Sequence, residues 1–291
     1  ELSNKIMREM KRKSKIFSKC TILKKIGEGG YGVVYICQPY SAIKIQTIVD
    51  NDRLRKLERE VKIQKILNKC SSKYIVRIFE SEIVMNVLGD SYFIMRMTYD
   101  ENYKNLYNYI RDSNNFLNLS EIINIAENLL LGLKCIHDLG IVYYDLKPGN
   151  ILLHKNHKNI KYLDFGLAQQ IQNNLNIKKR LKRSGTPNYT SPEILNKIPI
   201  EKREHFKTDI WSLGVTLYFL DHNQLPFRGN TKDETYSKIK NFNPYTGNRF
   251  PMDKLDRLIK KLLTKDYRQR PNIDQALAYF YKYVKKEKGY A

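Results

Sequence analysis

The chain has 291 residues, 42% hydrophobic and 28% charged, the proportions of a globular protein with a core of its own. No apolar run approaches the roughly 20 residues that cross a bilayer as a helix, and the opening ELSNKIMREMKRKSK is too polar and basic for a signal peptide. A formal net charge of +22 favours anionic partners, whether acidic protein, nucleic acid or membrane surface, although a coding bias toward Lys yields the same excess with no partner at all.

In chain order, residues 1–17 read as a basic N-terminal extension forming one helix; the chain opens on Glu1 without an initiator Met, as a trimmed chain would. Residues 18–95 read mostly as short strands, because ILKKI, VVYIC and AIKIQ are apolar and rich in β-branched residues. One helix interrupts them, LRKLEREVKIQKIL, with Leu54, Leu57, Val61 and Leu67 close to helical spacing. After Tyr99 the pattern turns helical, clearest in EIINIAENLLLGLKCIHDLG and DIWSLGVTLYFL, while Gln169–Ser184 reads as a polar, basic loop. The expectation is an α+β fold: a small β-rich part at 18–95, a connecting hinge at 96–99 and a larger helical part at 100–291. Cys20, Cys37, Cys70 and Cys135 stand singly with no C-x-x-C pair, which reads as reduced thiols in an intracellular protein, cytoplasmic or nuclear. His154 and His157 lie in the polar stretch HKNHKN and read as a solvated turn, not a metal site.

Chemistry concentrates in four places. Gly27-Glu28-Gly29-Gly30-Tyr31-Gly32-Val33-Val34 is a glycine-rich turn between predicted strands, where a bare backbone can approach phosphates. No Gly-Lys-Ser/Thr follows, so it is not a Walker A loop. Ser41-Ala42-Ile43-Lys44 puts a lysine on the following strand, a point charge suited to phosphate oxygens. Glu60, in the predicted helix, is placed to neutralise that lysine, with Glu58 as the rival. Tyr143-Tyr144-Asp145-Leu146-Lys147-Pro148-Gly149-Asn150, followed by Asp164-Phe165-Gly166, gathers an oxygen base with carboxylate and amide oxygens of the kind that hold magnesium. Each piece alone is an ordinary loop; all of them in this order are not.

In this order the motifs resemble the eukaryotic-type protein kinase family, serine/threonine branch, from roughly Thr21 to Leu277. The resemblance implies a two-lobed kinase fold with ATP in the cleft between the lobes. It implies that Gly27, Gly29 and Gly32 cover the phosphates, that Lys44 and Glu60 anchor them, and that Val34, Ala42 and Leu152 enclose the adenine, with Met95 behind it and Met97 on the hinge. Asp145 would orient the acceptor hydroxyl, Lys147 steady the γ-phosphate, and Asn150 and Asp164 hold Mg2+, with Mn2+ as the alternative ion. Gly185-Thr186-Pro187-Asn188-Tyr189-Thr190-Ser191-Pro192-Glu193 is similar to the end of an activation segment. Thr186 would touch Asp145 and Lys147, and Glu193 would pair with Arg270. Asp209 would anchor the catalytic loop, and His137 would be structural. Lys147 and Thr186 point to serine and threonine acceptors in a protein substrate.

Several positions depart from the family pattern. Tyr143 stands where the family often has His, and Tyr144 where it often has the Arg that clamps an activation-loop phosphate. Between Leu167 and Arg183 there is no Ser, Thr or Tyr, leaving Ser184 as the one hydroxyl just before Gly185. Clamp and target are missing together, which implies activity without activation-loop phosphorylation. Lys178-Lys179-Arg180-Leu181-Lys182-Arg183 is cationic at five of six positions, while Asn102, Gly149 and Phe219 stand where kinases of basic substrates carry acids; acidic substrates are expected. Gln64 replaces an apolar residue of the stack leading to Phe165. A pseudokinase scaffold, a nucleic-acid or anionic-surface binder and a small-molecule kinase are the competing readings.

Overall fold

A computed structural model describes residues 2–29, 32–38, 40–71, 73–112, 117–171, 186–242 and 254–285. The chain divides into two compact units, Glu1–Asn102 and Tyr103–Ala291.

The first unit is built on a five-stranded antiparallel sheet of β1 (Thr21–Gly29), β2 (Gly32–Gln38), β3 (Ser41–Thr47), β4 (Ile78–Val87) and β5 (Asp90–Met97), in the order β1-β2-β3-β5-β4. Its long helix, α3 (Asn51–Leu67), starts at an Asp50 cap that accepts from the Arg53 amide. Leu57 and Val61 of α3 pack on Phe93 and Met95 of β5. The N-terminal stretch forms two helices, α1 (Asn4–Lys13) and α2 (Lys15–Ser18), where the sequence suggested one over 1–17. Ser14 ends α1, and Met10, Ile16 and Phe17 are buried with Tyr35, Ile43, Val84 and Ile94 of the sheet. The Glu82 carboxylate accepts from the Lys15 and Ile16 amides (3.1 and 2.9 Å) and from the Ser14 hydroxyl, placing a negative charge at the start of α2.

The reduced-thiol reading is corrected here. Cys20 and Cys37 form a disulfide, with Cα atoms 5.6 Å apart. The β1–β2 register sets Thr21 opposite Gln38 and Ile22 opposite Cys37, which carries Cys20 alongside. None of the four cysteines is a free thiol, and the thiol argument for an intracellular setting goes with that reading.

The second unit is mainly helical: α4 (Leu106–Arg111), α5 (Leu119–Asp138), α6 (Pro192–Leu195), α7 (Phe206–His222), α8 (Lys232–Asn241), α9 (Lys254–Leu262) and α10 (Ile273–Tyr279). A capping box of Asn118 and Glu121 starts α5. Two small antiparallel sheets carry the loops: β6 (Tyr103–Asn105), β8 (Ile151–His154) and β9 (Ile160–Tyr162) in the order β6-β8-β9, and β7 (Ile141–Val142) with β10 (Gln169–Gln170). The predicted loop from Gln169 therefore begins as a strand, Gln169 pairing with Val142. Among the described residues no helix is long and apolar enough to cross a membrane. The β-rich and helical units make the two-lobed α+β class expected from the motifs.

Gly32 has a packing reason of its own. Its φ is +143°, and a Cβ there would lie 2.3 Å from the Ile45 carbonyl oxygen and 2.7 Å from Gln46 Cγ. At Gly27 an added Cβ would meet nothing nearer than Val34 at 3.8 Å, so packing within the sheet does not require that glycine. Gly32→Ala is expected to lower stability by roughly 2 kcal/mol or more, read as a fall in thermal midpoint; Gly27→Ala leaves the midpoint nearly unchanged.

Candidate functional site

In the first unit, Lys44 sits mid-strand in β3, opposite Val34 on β2 and Met95 on β5. Its ammonium donates to Glu60 Oε1 at 3.4 Å, with side-chain exposures of 15% and 6%. Sixteen residues of chain separate the pair, and α3 returns Glu60 to the strand it left. Glu58 is exposed, and Glu60 is the glutamate that Lys44 meets. Ala42 and Met95 are buried, Ala42 pairs with Met97, and Val34 is half-buried. Glu28 and Glu58 both lie at the surface. Gln64 is buried one turn of α3 beyond Glu60, and its Oε1 makes no hydrogen bond among the described residues.

In the second unit, loop 143–150 hangs from one carboxylate. Asp209, fully buried on α7, accepts the Tyr143 amide at Oδ2 and the Tyr144 amide at Oδ1, both at 2.8 Å. His137 Nε2, from α5, lies 2.9 Å from Oδ2. These bonds hold Tyr144 at φ +63°, in the left-handed region that a non-glycine residue enters at a cost of about 1 kcal/mol or more. The chain then turns Asp145 toward Lys147 and Asn150. Lys147 Nζ donates to both Asp145 oxygens, at 3.1 and 2.8 Å, and to Thr186 Oγ1 at 2.7 Å. Asn150 Nδ2 donates to the Asp145 backbone oxygen at 2.9 Å and to its Oδ2 at 2.8 Å. With its amide nitrogen so committed, Asn150 keeps Oδ1 as its ligand-type oxygen. Thr186 meets Lys147, so its link to Asp145 runs through that ammonium. Burial raises the Asp145 pKa; Lys147 and Asn150 pull it down, and Asp164 pushes it up again.

Asp164 also has a positive φ, +60°, and its Oδ1 accepts from the Gly166 amide at 3.2 Å. Phe165 is fully buried with its ring 5.0 Å from that of Tyr143. Tyr143, in the place where the family often has His, donates its hydroxyl to the Leu163 carbonyl, tying loop 143–150 to the segment that carries Asp164. Leu152 is half-buried in β8, opposite Asn105 and Lys161. The expected Glu193–Arg270 pair is bidentate and buried, at 2.7 and 3.0 Å, and Arg270 also donates to the carbonyls of Thr264, Lys207 and Lys265.

Sequence reasoning missed His205, fully buried just ahead of α7. Its Nδ1 lies 2.8 Å from the Tyr144 hydroxyl. Burial lowers its pKa, with the Ile200 backbone, Glu193 and Asp209 pulling weakly the other way. The Asp221, His222 and Asp256 group also escaped the sequence reading. Its imidazole nitrogens lie 3.4 Å from Asp221 and 3.6 Å from Asp256, and the three residues together could hold a cation. His157, from the HKNHKN turn, is held against Glu121. Lys178–Arg183, Ser184 and Gly185 lie outside the described residues, as do Gly30 and Tyr31.

The protein kinase domain family matches this chain over residues 20–282. A protein of Plasmodium berghei (strain Anka) named calcium-dependent protein kinase 6 is 31% identical over 269 residues, which cover 89% of this chain and 17% of that protein. A Caenorhabditis elegans protein named cAMP-dependent protein kinase, catalytic subunit-like, is 31% identical over 253 residues, 84% of this chain and 58% of its own. A protein of Acanthamoeba polyphaga mimivirus, named as a serine/threonine-protein kinase, is 36% identical over 166 residues, 56% of this chain and 57% of its own. The chain thus spans less than two thirds of the length of these relatives.

A buried acceptor without a donor costs about 1–3 kcal/mol. Gln64→Met keeps the shape and removes the acceptor, and is expected to raise unfolding stability by about 1 kcal/mol in urea titration; a loss of stability would show that the amide is satisfied.

Proposed function

Because the chain belongs to the protein kinase domain family, we propose that it is a serine/threonine kinase that transfers the γ-phosphate of ATP to hydroxyls of a protein substrate. The observation that carries this reading is the joint hold of Lys147 and Asn150 on Asp145, beside Thr186. Asp145 is the group that orients the acceptor hydroxyl and takes its proton as the oxygen–phosphorus bond forms and the bond to the departing ADP breaks. Lys147 balances negative charge on the transferred group. Lys44, kept in place by Glu60, binds the α- and β-phosphate oxygens, with the turn of Gly27, Gly29 and Gly32 over them. Val34, Ala42, Met95, Met97 and Leu152 are the apolar and hinge positions assigned to adenine.

The donor set fits magnesium. Asp164 and Asn150 offer a carboxylate and an amide oxygen, hard ligands of the kind Mg2+ prefers and Mn2+ accepts. When bound, the ion screens phosphate charge during transfer. Asp164 is presented from a strained backbone position and Asn150 from an amide locked by Asp145, so both oxygens are held before any ligand arrives.

Activity without activation-loop phosphorylation is part of this reading. It is supported by Tyr144 at the clamp position and by the absence of Ser, Thr and Tyr between Leu167 and Arg183. A preference for acidic substrates follows from Lys178–Arg183 and from non-acidic Asn102, Gly149 and Phe219. Phe219 is buried and stacked on Tyr107, with ring centroids 6.0 Å apart. The wider excess of positive charge suits a further anionic partner.

Transfer of labelled phosphate from Mg-ATP to an acidic and a basic model protein tests the proposal. The expected result is transfer that favours the acidic protein at least tenfold and falls by a factor of about 10³ or more in Asp145→Asn. ATP binding with no transfer to either protein would point to a scaffold; equal transfer would remove the substrate preference and leave the kinase standing.

A further inference from the structure

Tyr144 is bound at both ends. Its amide is held by Asp209 and its hydroxyl by His205, each at 2.8 Å. The two anchors lie four residues apart on one short stretch, the 3-10 turn Lys202–His205 and the start of α7. That stretch is itself fixed: Thr208 Oγ1 donates to the His205 carbonyl at 2.8 Å, and both His205 and Asp209 are fully buried. Between the anchors Tyr144 is kept at φ +63°, one residue before Asp145. Donor and acceptor are assigned by the surroundings. Burial keeps the phenol protonated, so the hydroxyl donates. Burial also favours neutral imidazole, and facing a donating phenol it takes the tautomer with a bare Nδ1, which accepts.

We propose that His205 is a positioning residue: through the Tyr144 hydroxyl it straps the loop that carries Asp145 into its working shape, an internal hydrogen bond serving where an arginine and a phosphorylated activation segment would otherwise meet. The proposal rests on the kinase reading above and extends it. The strap needs no modification to close, because both partners are encoded, His205 fully buried and Tyr144 half-buried. It is also specific in chemistry. A phenol and an imidazole Nδ1 bond without charge, so the contact leaves no unpaired ion, whereas an arginine at position 144 would need an anion.

The test uses three single variants and one double. Tyr144→Phe removes only the hydroxyl. His205→Leu removes the acceptor and fills its space. His205→Asn keeps an acceptor oxygen near the place of Nδ1. All are checked for folding by thermal melting, and kcat and the KM for ATP are measured with protein that intact mass shows to be free of phosphate. Tyr144→Phe and His205→Leu are expected to lower kcat about tenfold with KM for ATP changed less than twofold. His205→Asn recovers at least half of the loss, and the double variant Tyr144→Phe/His205→Leu is no slower than the slower single, as a shared interaction requires. Amide hydrogen exchange over residues 145–150 is followed in the same proteins and is expected to quicken about tenfold in Tyr144→Phe. Unchanged kcat and unchanged exchange in Tyr144→Phe would overturn the strap, and that variant carries the test alone if His205→Leu does not fold. If the unaltered protein transfers no phosphate, the kinase reading fails, while the exchange comparison still decides whether the hydroxyl holds the loop.

Discussion

A carboxylate with no access to water sets the shape of loop 143–150. Burying Asp209 costs several kcal/mol unless donors surround it, and the donors are the amides of Tyr143 and Tyr144 and the ring of His137. Satisfying that charge dictates the path of the chain. Two successive amides can point at one carboxylate only if the backbone bends sharply, and the bend appears as the positive φ of Tyr144. Asp145 then leaves the bend toward Lys147 and Asn150, and the path of the loop is set by a charge on the helix beneath it. The strain at Tyr144 is small beside the cost of leaving Asp209 unpaired, so the two features persist together.

The same logic recurs at lower stakes across the chain. Arg270 has its guanidinium satisfied by Glu193 and by three backbone carbonyls, which fixes the end of the segment bearing Thr186 against the helices that follow it. Tyr143 uses its hydroxyl to join loop 143–150 to Leu163, next to Asp164. In the β-rich unit, Glu60 returns along α3 to Lys44. Glu82 ties the basic N-terminal helices to β4 through the amides of Lys15 and Ile16. In each case a buried or half-buried polar group, charged or neutral, ties one segment to another, and regular elements serve as the frame.

The family was legible in the sequence because its motifs sit in compact runs. Lys44, Glu60, Asp145, Lys147, Asn150 and Asp164 are proposed as site residues from order and spacing, and the Glu193–Arg270 pair, which the structure contains, from its two motifs. What escaped was contact between distant segments. His205 lies 61 residues from Tyr144, just ahead of the DIWSLG run but outside it, so nothing local marks it as a partner. The packing of Met10, Ile16 and Phe17 into the sheet was hidden by the lysines around them. The disulfide of Cys20 and Cys37 depends on the β1–β2 register, not on a paired cysteine motif. The reading of Gln64 stayed open because its hydrogen bonding is a property of the packed helix, and the packed helix leaves its Oε1 without one.

If Asp209 and the groups around it keep the loop in working order by themselves, phosphate on the protein is not needed for transfer. The most direct measurement is the rate of transfer by protein shown by intact mass to carry no phosphate, set beside the same protein after full incubation with Mg-ATP. The account predicts equal initial rates, within about twofold. A rate that rises tenfold or more only after a phosphate appears on Ser184 would contradict it.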